Sequence, residues 1–507
     1  MRFYNNSCLR IFHKGYRPKR LVKQTQPDLT GQALATWGQA GLVVWLALSL
    51  GACASLPGTP PLASSALVAP AAWANAEVQA TAAKSSLLRW WQRFDDPLLD
   101  QLISQALAAN NSVQGAQAAL RQARALHDVA AAGLSPSLGS SASAQRSRRS
   151  NTTDNTFQVG LDGNWDLDVF GANRSAVSAS EAAAQASAAS LGTVQVSIAA
   201  EVALDYIALR SAQERLGIAA ANLASQRETL QLTQWRLQAG LVTSLEAEQA
   251  RAATEQTAAQ LPVLQISMAQ IGHALAVLTG QPPAALALLL ADAGRLPQAP
   301  GALALAFPAE TLRQRSDVQA AEFQLTAAAA RVAQADAARL PSFKLGGSLG
   351  LSALTLGALT DGASVAAAVL ASVSWSLFDG GAAQAQGRAQ RAAFDQARAT
   401  YQATVLTALQ EVEDALVALR FDRQRLLRLQ NAFASADIAA TLASQRYSSG
   451  LVDFQAVLET QRSRLSTQDG VASARAAVSA DHVRLYQALG GGWLPSDADA
   501  TALSATP

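Results

Sequence analysis

The chain has few of the residues that reactive chemistry needs. Its 507 residues include two cysteines, Cys8 and Cys53, and four histidines, His13, His127, His273 and His482. The histidines lie far apart with no metal-ligand spacing, and no cysteine pair suggests a disulfide framework. A Gly-rich phosphate loop and a nucleophile elbow are also missing. An enzyme reading therefore has little support, and no cofactor is expected apart from a covalent lipid on Cys53. An excess of one charge is lacking too. With 39 basic and 37 acidic residues the net charge is +2, so the chain has no electrostatic footprint for nucleic acid. The apolar run GLVVWLALSLGA, Gly41 to Ala52, is too short to cross a bilayer comfortably as a helix. Proline, finally, is absent from Ala172 to Ala239 and from Ala382 to Ser449.

What is present begins with an export signal. Arg17, Lys19, Arg20 and Lys23 precede the apolar run, and small residues follow it, the order of a secretory signal peptide. Its polar leader is long, which points to a translation start after Met1. Leu50-Gly51-Ala52-Cys53 resembles a bacterial lipobox, which predicts cleavage before Cys53 and acylation of that residue. Loss of Cys8 with the signal would leave Cys53 without a pairing partner, in keeping with attachment through acyl chains. Ala54 to Ala83, rich in Ala, Ser and Pro, reads as a linker.

A long repeat organises the rest. Glu201-Val202 and Ala208-Leu209-Arg210 recur as Glu411-Val412 and Ala418-Leu419-Arg420. The same offset carries Trp165 and Leu167 onto Trp375 and Leu377, and Arg236, Gly240, Leu241 and Val242 onto Arg446, Gly450, Leu451 and Val452. The reading is a signal peptide over 1–52, a lipidated linker over 53–94, one copy over 95–305, a second over 306–493, and a disordered tail over 494–507.

Each proline-free stretch consists mostly of helix formers, and about 68 residues at ~1.5 Å each reach on the order of 100 Å. A helix of that length cannot be the core of a small domain. Gly240 and Gly450 are read as helix stops, with helices returning over Thr243 to Leu278 and Asp453 to Leu489. Each copy thus holds a helical hairpin whose tip is Gly-Leu-Val.

Ahead of each long helix the period changes to two. In FQVGLDGNWDLDVF, Phe157 to Phe170, odd positions are apolar or glycine up to Val169, and even positions before Phe170 are polar or small. Phe343 to Ser352 and Val369 to Leu377 alternate likewise, while Ser137 to Arg146 is a strand chiefly by analogy with the second copy. Turn formers from Ser147 to Asn155 and Thr355 to Ser364 read as loops. Strands with one apolar and one polar face, and with Trp165, Phe170 and Trp375 toward one end, suit a transmembrane β-barrel. Asp162, Asp166 and Asp168 are then expected at a wet lumen or its rim. Four strands cannot close a barrel, and an open edge does not survive in lipid, so the barrel must be shared between subunits.

Several motifs now bear on family. Trp90 to Leu99 (WWQRFDDPLL), Trp165 to Gly171 (WDLDVFG), Arg446 to Gly450 (RYSSG) and Leu312 to Glu322 (LRQRSDVQAAE), in this order, resemble the TolC-like outer-membrane efflux lipoproteins, the outer components of RND-type tripartite pumps. Ser316 stands where that family commonly has Pro, a departure expected to lower rigidity before the next helix. The resemblance implies an α+β membrane protein: a homotrimer with a twelve-stranded barrel in the outer membrane, continued by a periplasmic α-helical barrel. It implies passive conduction, with an inner-membrane RND pump and a periplasmic adaptor as partners and outer-membrane lipid around the barrel. It places adaptor contacts at Gly240, Leu241, Val242, Gly450, Leu451 and Val452. It also places a periplasmic gate at Gln455, Glu459 and Arg462, which share one helix face. A duct for type I protein secretion is the nearer alternative; a structural periplasmic lipoprotein is the more distant one.

Overall fold

Both proline-free stretches are unbroken helices of 67 residues, Ala172–Gln238 and Ala382–Ser448. The computed structural model describes residues 70, 72–75, 87–149, 152–298 and 308–493. The chain divides into two units, Met1–Gly58 and Thr59–Pro507, and every described residue belongs to the second. The signal segment, Cys53 and the tail over 494–507 lie outside the described residues.

In chain order, a 3₁₀ turn at Trp90–Phe94 leads to α1 (Pro97–Ala109), α2 (Asn111–Ala132), β1 (Ser137–Arg149) and β2 (Thr152–Leu167). Then come α3 (Ala172–Gln238), α4 (Ser244–Ala258) and α5 (Gln260–Leu278). The second copy runs α6 (Pro308–Gln314), α7 (Ser316–Ala337), β3 (Ser342–Ala353), β4 (Val365–Ser374), α8 (Ala382–Ser448) and α9 (Phe454–Ala488). The expected returning helix Thr243 to Leu278 is divided at Ala259 into α4 and α5. Pro262 explains the break, because it has no N–H to bond the carbonyl of Ala258.

The helices α1 and α2 go beyond the expected elements, and α7 is the helix expected after Ser316. Asp96 accepts hydrogen bonds from the Leu98 and Leu99 amides at 3.0 and 3.1 Å, and Pro97 occupies the first turn of α1. Asn110 caps α2 from the Ser112 amide at 2.8 Å, and its amide reaches the Leu278 carbonyl at 2.9 Å. α2 packs on α3, and α7 packs on both α3 and α8, so each strand pair is flanked by two helices.

Ser316, where the resemblance leads to an expectation of proline, is buried at the start of α7, its hydroxyl 3.0 Å from that of Thr193 on α3. The serine thus supplies a bond between the two copies. Beside it, Arg315 is buried and holds three partners: Asp317 at 2.6 Å, Glu411 on α8 at 2.7 Å, and the Ala488 carbonyl closing α9 at 2.8 Å.

The largest apolar cluster forms where the 3₁₀ turn meets the end of α9. Trp90 stacks on Tyr486 with centroids 5.3 Å apart, and Leu99, Leu102 and Ile103 of α1 bury against Val202 and Tyr206 of α3. Trp73 also belongs to this core, and the Ala74 amide and Asn75 side chain donate to the Glu413 carboxylate at 2.7 and 2.8 Å. Residues 72–75 and 90–94, expected in the linker, are therefore bound to the helices.

Candidate functional site

The four strands form one antiparallel sheet in the order β1-β2-β3-β4. Its register places Val159 opposite Ala142 and Leu351, Leu161 opposite Leu349, Trp165 opposite Leu345 and Leu345 opposite Ala371. One face therefore collects Leu138, Val159, Leu161, Trp165, Leu345, Leu349, Val369 and Val373. These side chains are exposed, Val369 at 83% and Leu138 at 75%, on a scale that water does not favour.

The other face carries Gln158, Asp162, Asn164 and Asp166 of β2 with Lys344 and Ser348 of β3. Asp166 pairs with Lys344 at 3.1 Å, and Asp162 accepts from Ser141 at 3.0 Å. The polarity lapses in β4, where Ala366, Ala368 and Leu370 share this face. Asp168 does not line it. β2 ends at Leu167, and the Asp168 carboxylate accepts from the Asn173 and Arg174 amides at 3.0 and 2.9 Å, tying the strand to the first turn of α3. Against a burial that raises it, these bonds and the Arg174 charge hold the Asp168 carboxyl below its ordinary range. Asp379 anchors α8 in the same way, through Gly381 and Ala383.

The segment expected as a loop from Ser147 to Asn155 is mostly ladder. Pairs Arg146↔Asn155, Ser147↔Asp154, Arg148↔Thr153 and Arg149↔Thr152 extend the hairpin. Cross-strand pairing has overridden local turn preference there. Likewise β4 begins at Val365 and ends at Ser374, so Trp375 and Leu377 follow it. Trp165 and Trp375 still occupy equivalent places, donating to the Leu134 and Arg339 carbonyls at 3.0 and 3.2 Å.

At the opposite ends of the long helices, the two tips share one geometry. Gly240 and Gly450 both take φ of +71°, a left-handed conformation that suits glycine. The Leu241 amide bonds the Arg236 carbonyl at 2.8 Å, and the Leu451 amide bonds the Arg446 carbonyl at 2.9 Å. Leu241 and Leu451 stand 73% and 74% exposed, while Val242 and Val452 are half-buried. Arg236 lies over the Tyr447 ring at 4.9 Å, joining the first tip to the second.

Beyond the second tip, Asp453 caps α9 by accepting from the Ala456 amide at 3.0 Å. Phe454, Val457 and Leu458 face inward, leaving Gln455, Glu459 and Arg462 exposed on the opposite side. None of these three has an ion-pair partner among the described residues. Further along, α9 is fastened to α3 by Asp469 with Arg215 at 2.7 Å and by Arg475 with Glu214 at 2.7 Å. Asn222 with Gln468 at 3.2 Å extends this seam. Sequence reasoning missed it because nothing local marks which helices become neighbours.

Among the described residues no group of three His, Cys, Asp or Glu side chains could hold a metal ion. A groove of about 640 Å³ between α2, α3, α7 and α8 is lined by small and polar side chains such as Ala186, Ser190, Gln324 and Gln396. Such walls suit passage of solvent better than retention of a ligand.

Comparison with known proteins agrees with this geometry. The Outer membrane efflux protein family matches residues 102–281 and 307–491. The pyoverdine export outer membrane protein OpmQ of Pseudomonas putida is 34% identical over 88% of this chain and 96% of its own. Outer membrane protein OprJ of Pseudomonas aeruginosa is 31% identical over 88% and 95%. Among solved structures, the outer-membrane channel OprN superposes with a TM-score of 0.77 at 35% identity, covering 84% of this chain and 99% of that one. VceC of Vibrio cholerae gives 0.76 at 28% identity over 80% and 99%. The long helical hairpins, the two-faced sheet and these similarities together establish that the chain belongs to the outer membrane efflux protein family.

Proposed function

We propose that three copies of this chain close a twelve-stranded barrel and form the exit duct of a tripartite RND-type efflux system. The observation that carries the reading is the sheet, apolar on one face and open at both edges. The unpaired backbone groups of β1 and β4 cannot face lipid, and joining β4 of one copy to β1 of the next satisfies them. Asp162, Asp166 and Lys344 then line a wet lumen. Solutes pass through by diffusion, and the inner-membrane pump supplies the energy.

Leu241 and Leu451 at the tips are the contacts for a periplasmic adaptor. Gln455, Glu459 and Arg462 form the gate: unpaired within one protomer, Glu459 and Arg462 find partners on neighbouring copies around the axis. Exposed pairs contribute only about 0–1 kcal/mol each, so the closed state yields readily to an adaptor. Acyl chains on Cys53 anchor the mature N-terminus in the outer membrane. Purification from outer membranes, with mass and single-channel conductance measured on one sample, tests the reading. A trimer with discrete currents supports it; a silent monomer refutes it.

A further inference from the structure

The register of β1 and β2 puts two arginines where a membrane wall would seldom carry charge. Arg146 pairs with Asn155 and Arg148 with Thr153, which sets both on the face of Leu138, Ala142, Val159 and Trp165. Among the described strand residues they are the only charged side chains on that face. Both are exposed, and among the described residues neither has an ion-pair or hydrogen-bond partner. Their cross-strand neighbours are neutral, and the nearby Asp154 pairs with Ser147 on the other face.

Height along the strands explains how the charge is tolerated. From Leu167 to Phe157, ten steps of ~3.4 Å at a tilt of about 40° rise about 26 Å, close to the apolar band of an outer-membrane barrel. Asn155, and with it Arg146, stands about 5 Å beyond that band, at the end away from the helices. This is the headgroup level of the outer leaflet. A guanidinium matches phosphate with paired, charge-assisted hydrogen bonds, and two such groups on alternate residues of one strand present a cationic edge without a counter-ion among the described residues.

We propose that Arg146 and Arg148 bind the phosphates of the phosphorylated, glucosamine-based glycolipid of the outer leaflet, so that β1 carries a lipid site at its distal end. The assignment rests on the reading of the sheet as the membrane wall.

The test uses the full-length protein, freed of native lipid in detergent. It is titrated with diphosphorylated lipid A, with the same lipid stripped of phosphate, and with inorganic phosphate, while the melting midpoint is followed. The midpoint is expected to rise with the phosphorylated lipid alone. The double variant Arg146→Gln with Arg148→Gln is expected to need about 30-fold more of that lipid for the same rise. Lys344→Gln, which removes a cation from the opposite face, should leave it unchanged. An equal response to the dephosphorylated lipid, an equal response in the double variant, or a response to inorganic phosphate alone overturns the proposal. Single-channel currents on the same samples separate the two readings. Currents without phosphate selectivity reject the lipid site alone, and absence of currents rejects the membrane wall beneath it.

Discussion

Replacing Arg315 with methionine should loosen the joint between the two copies while leaving the sheet intact. Arg315 is 6% exposed, and its guanidinium donates to Asp317, to Glu411 and to the Ala488 carbonyl, so one side chain ties the start of α7 to the middle of α8 and the end of α9. Methionine keeps most of the volume and removes every donor. The Ala488 carbonyl then loses a buried partner, at about 1–3 kcal/mol. Asp317 and Glu411 are partly exposed and regain water, so each adds only about 0–1 kcal/mol. The expected loss is about 3 kcal/mol, read as a lower melting midpoint by circular dichroism at the helix band.

Lysine at the same position keeps the charge without the planar fork and should recover only part of the loss. Gly490→Ala attacks the joint from the other side. That residue has φ of +73°, and a Cβ would meet the Arg315 Cα at 3.1 Å. Because both changes act on one contact, their effects should fall short of additive. A methionine variant within about 0.5 kcal/mol of wild type would refute the reasoning, since that is the range of an ordinary surface substitution.

Other expectations follow from the tips, the gate and a buried pair. Glu459→Ala with Arg462→Ala should leave trimers intact and raise single-channel conductance; unchanged current rejects the gate. Leu241→Asp with Leu451→Asp should reduce capture of the cognate adaptor by about tenfold or more without altering conductance. Burial, aided by Asp422 and opposed by Arg484, pushes Asp481 up from 3.8 to about 6. Burial and the charges of Arg423 and Arg93 push its neighbour His482 down from 6.5 to about 4. His482 therefore costs stability as pH falls from 6.5 toward 4, while proton uptake by Asp481 offsets that loss below 6. Asp481→Asn removes the offset, so the variant should lose up to about 3 kcal/mol more than wild type between pH 6 and 4. Parallel stability–pH curves for the two proteins would exclude this coupling.

The sequence made the parts with a strong period legible. Alternation in Phe157 to Leu167 assigned both sheet faces, because a one-residue slip would have inverted every side chain. The long helices followed from missing proline, and the tips from Gly240 and Gly450. Elements defined by partners were hidden. Arg148 and Thr153 belong to a ladder although their neighbours favour turns. Trp73 looks like part of a linker until Glu413 and the core around Trp90 are brought to it. Asp168 continues the alternating pattern, but only the fold shows that the amides of α3 hold its carboxylate just past the end of β2. Gln455, Glu459 and Arg462 share one exposed face as helical spacing requires, whereas the seam of Arg215, Asp469, Glu214 and Arg475 depends on which helices lie side by side.

The equal length of α3 and α8 restricts how this chain can change over generations. Each has 67 residues, and Arg236 at one tip lies over the Tyr447 ring at the other. Deleting one turn from either helix alone would withdraw its tip by about 5.4 Å, enough to separate the contacts that now join the two tips. Lengthening or shortening the duct therefore demands matched insertions or deletions in both halves of the gene, a far rarer event than a point substitution, and the reach of the helices should drift much more slowly than their sequence.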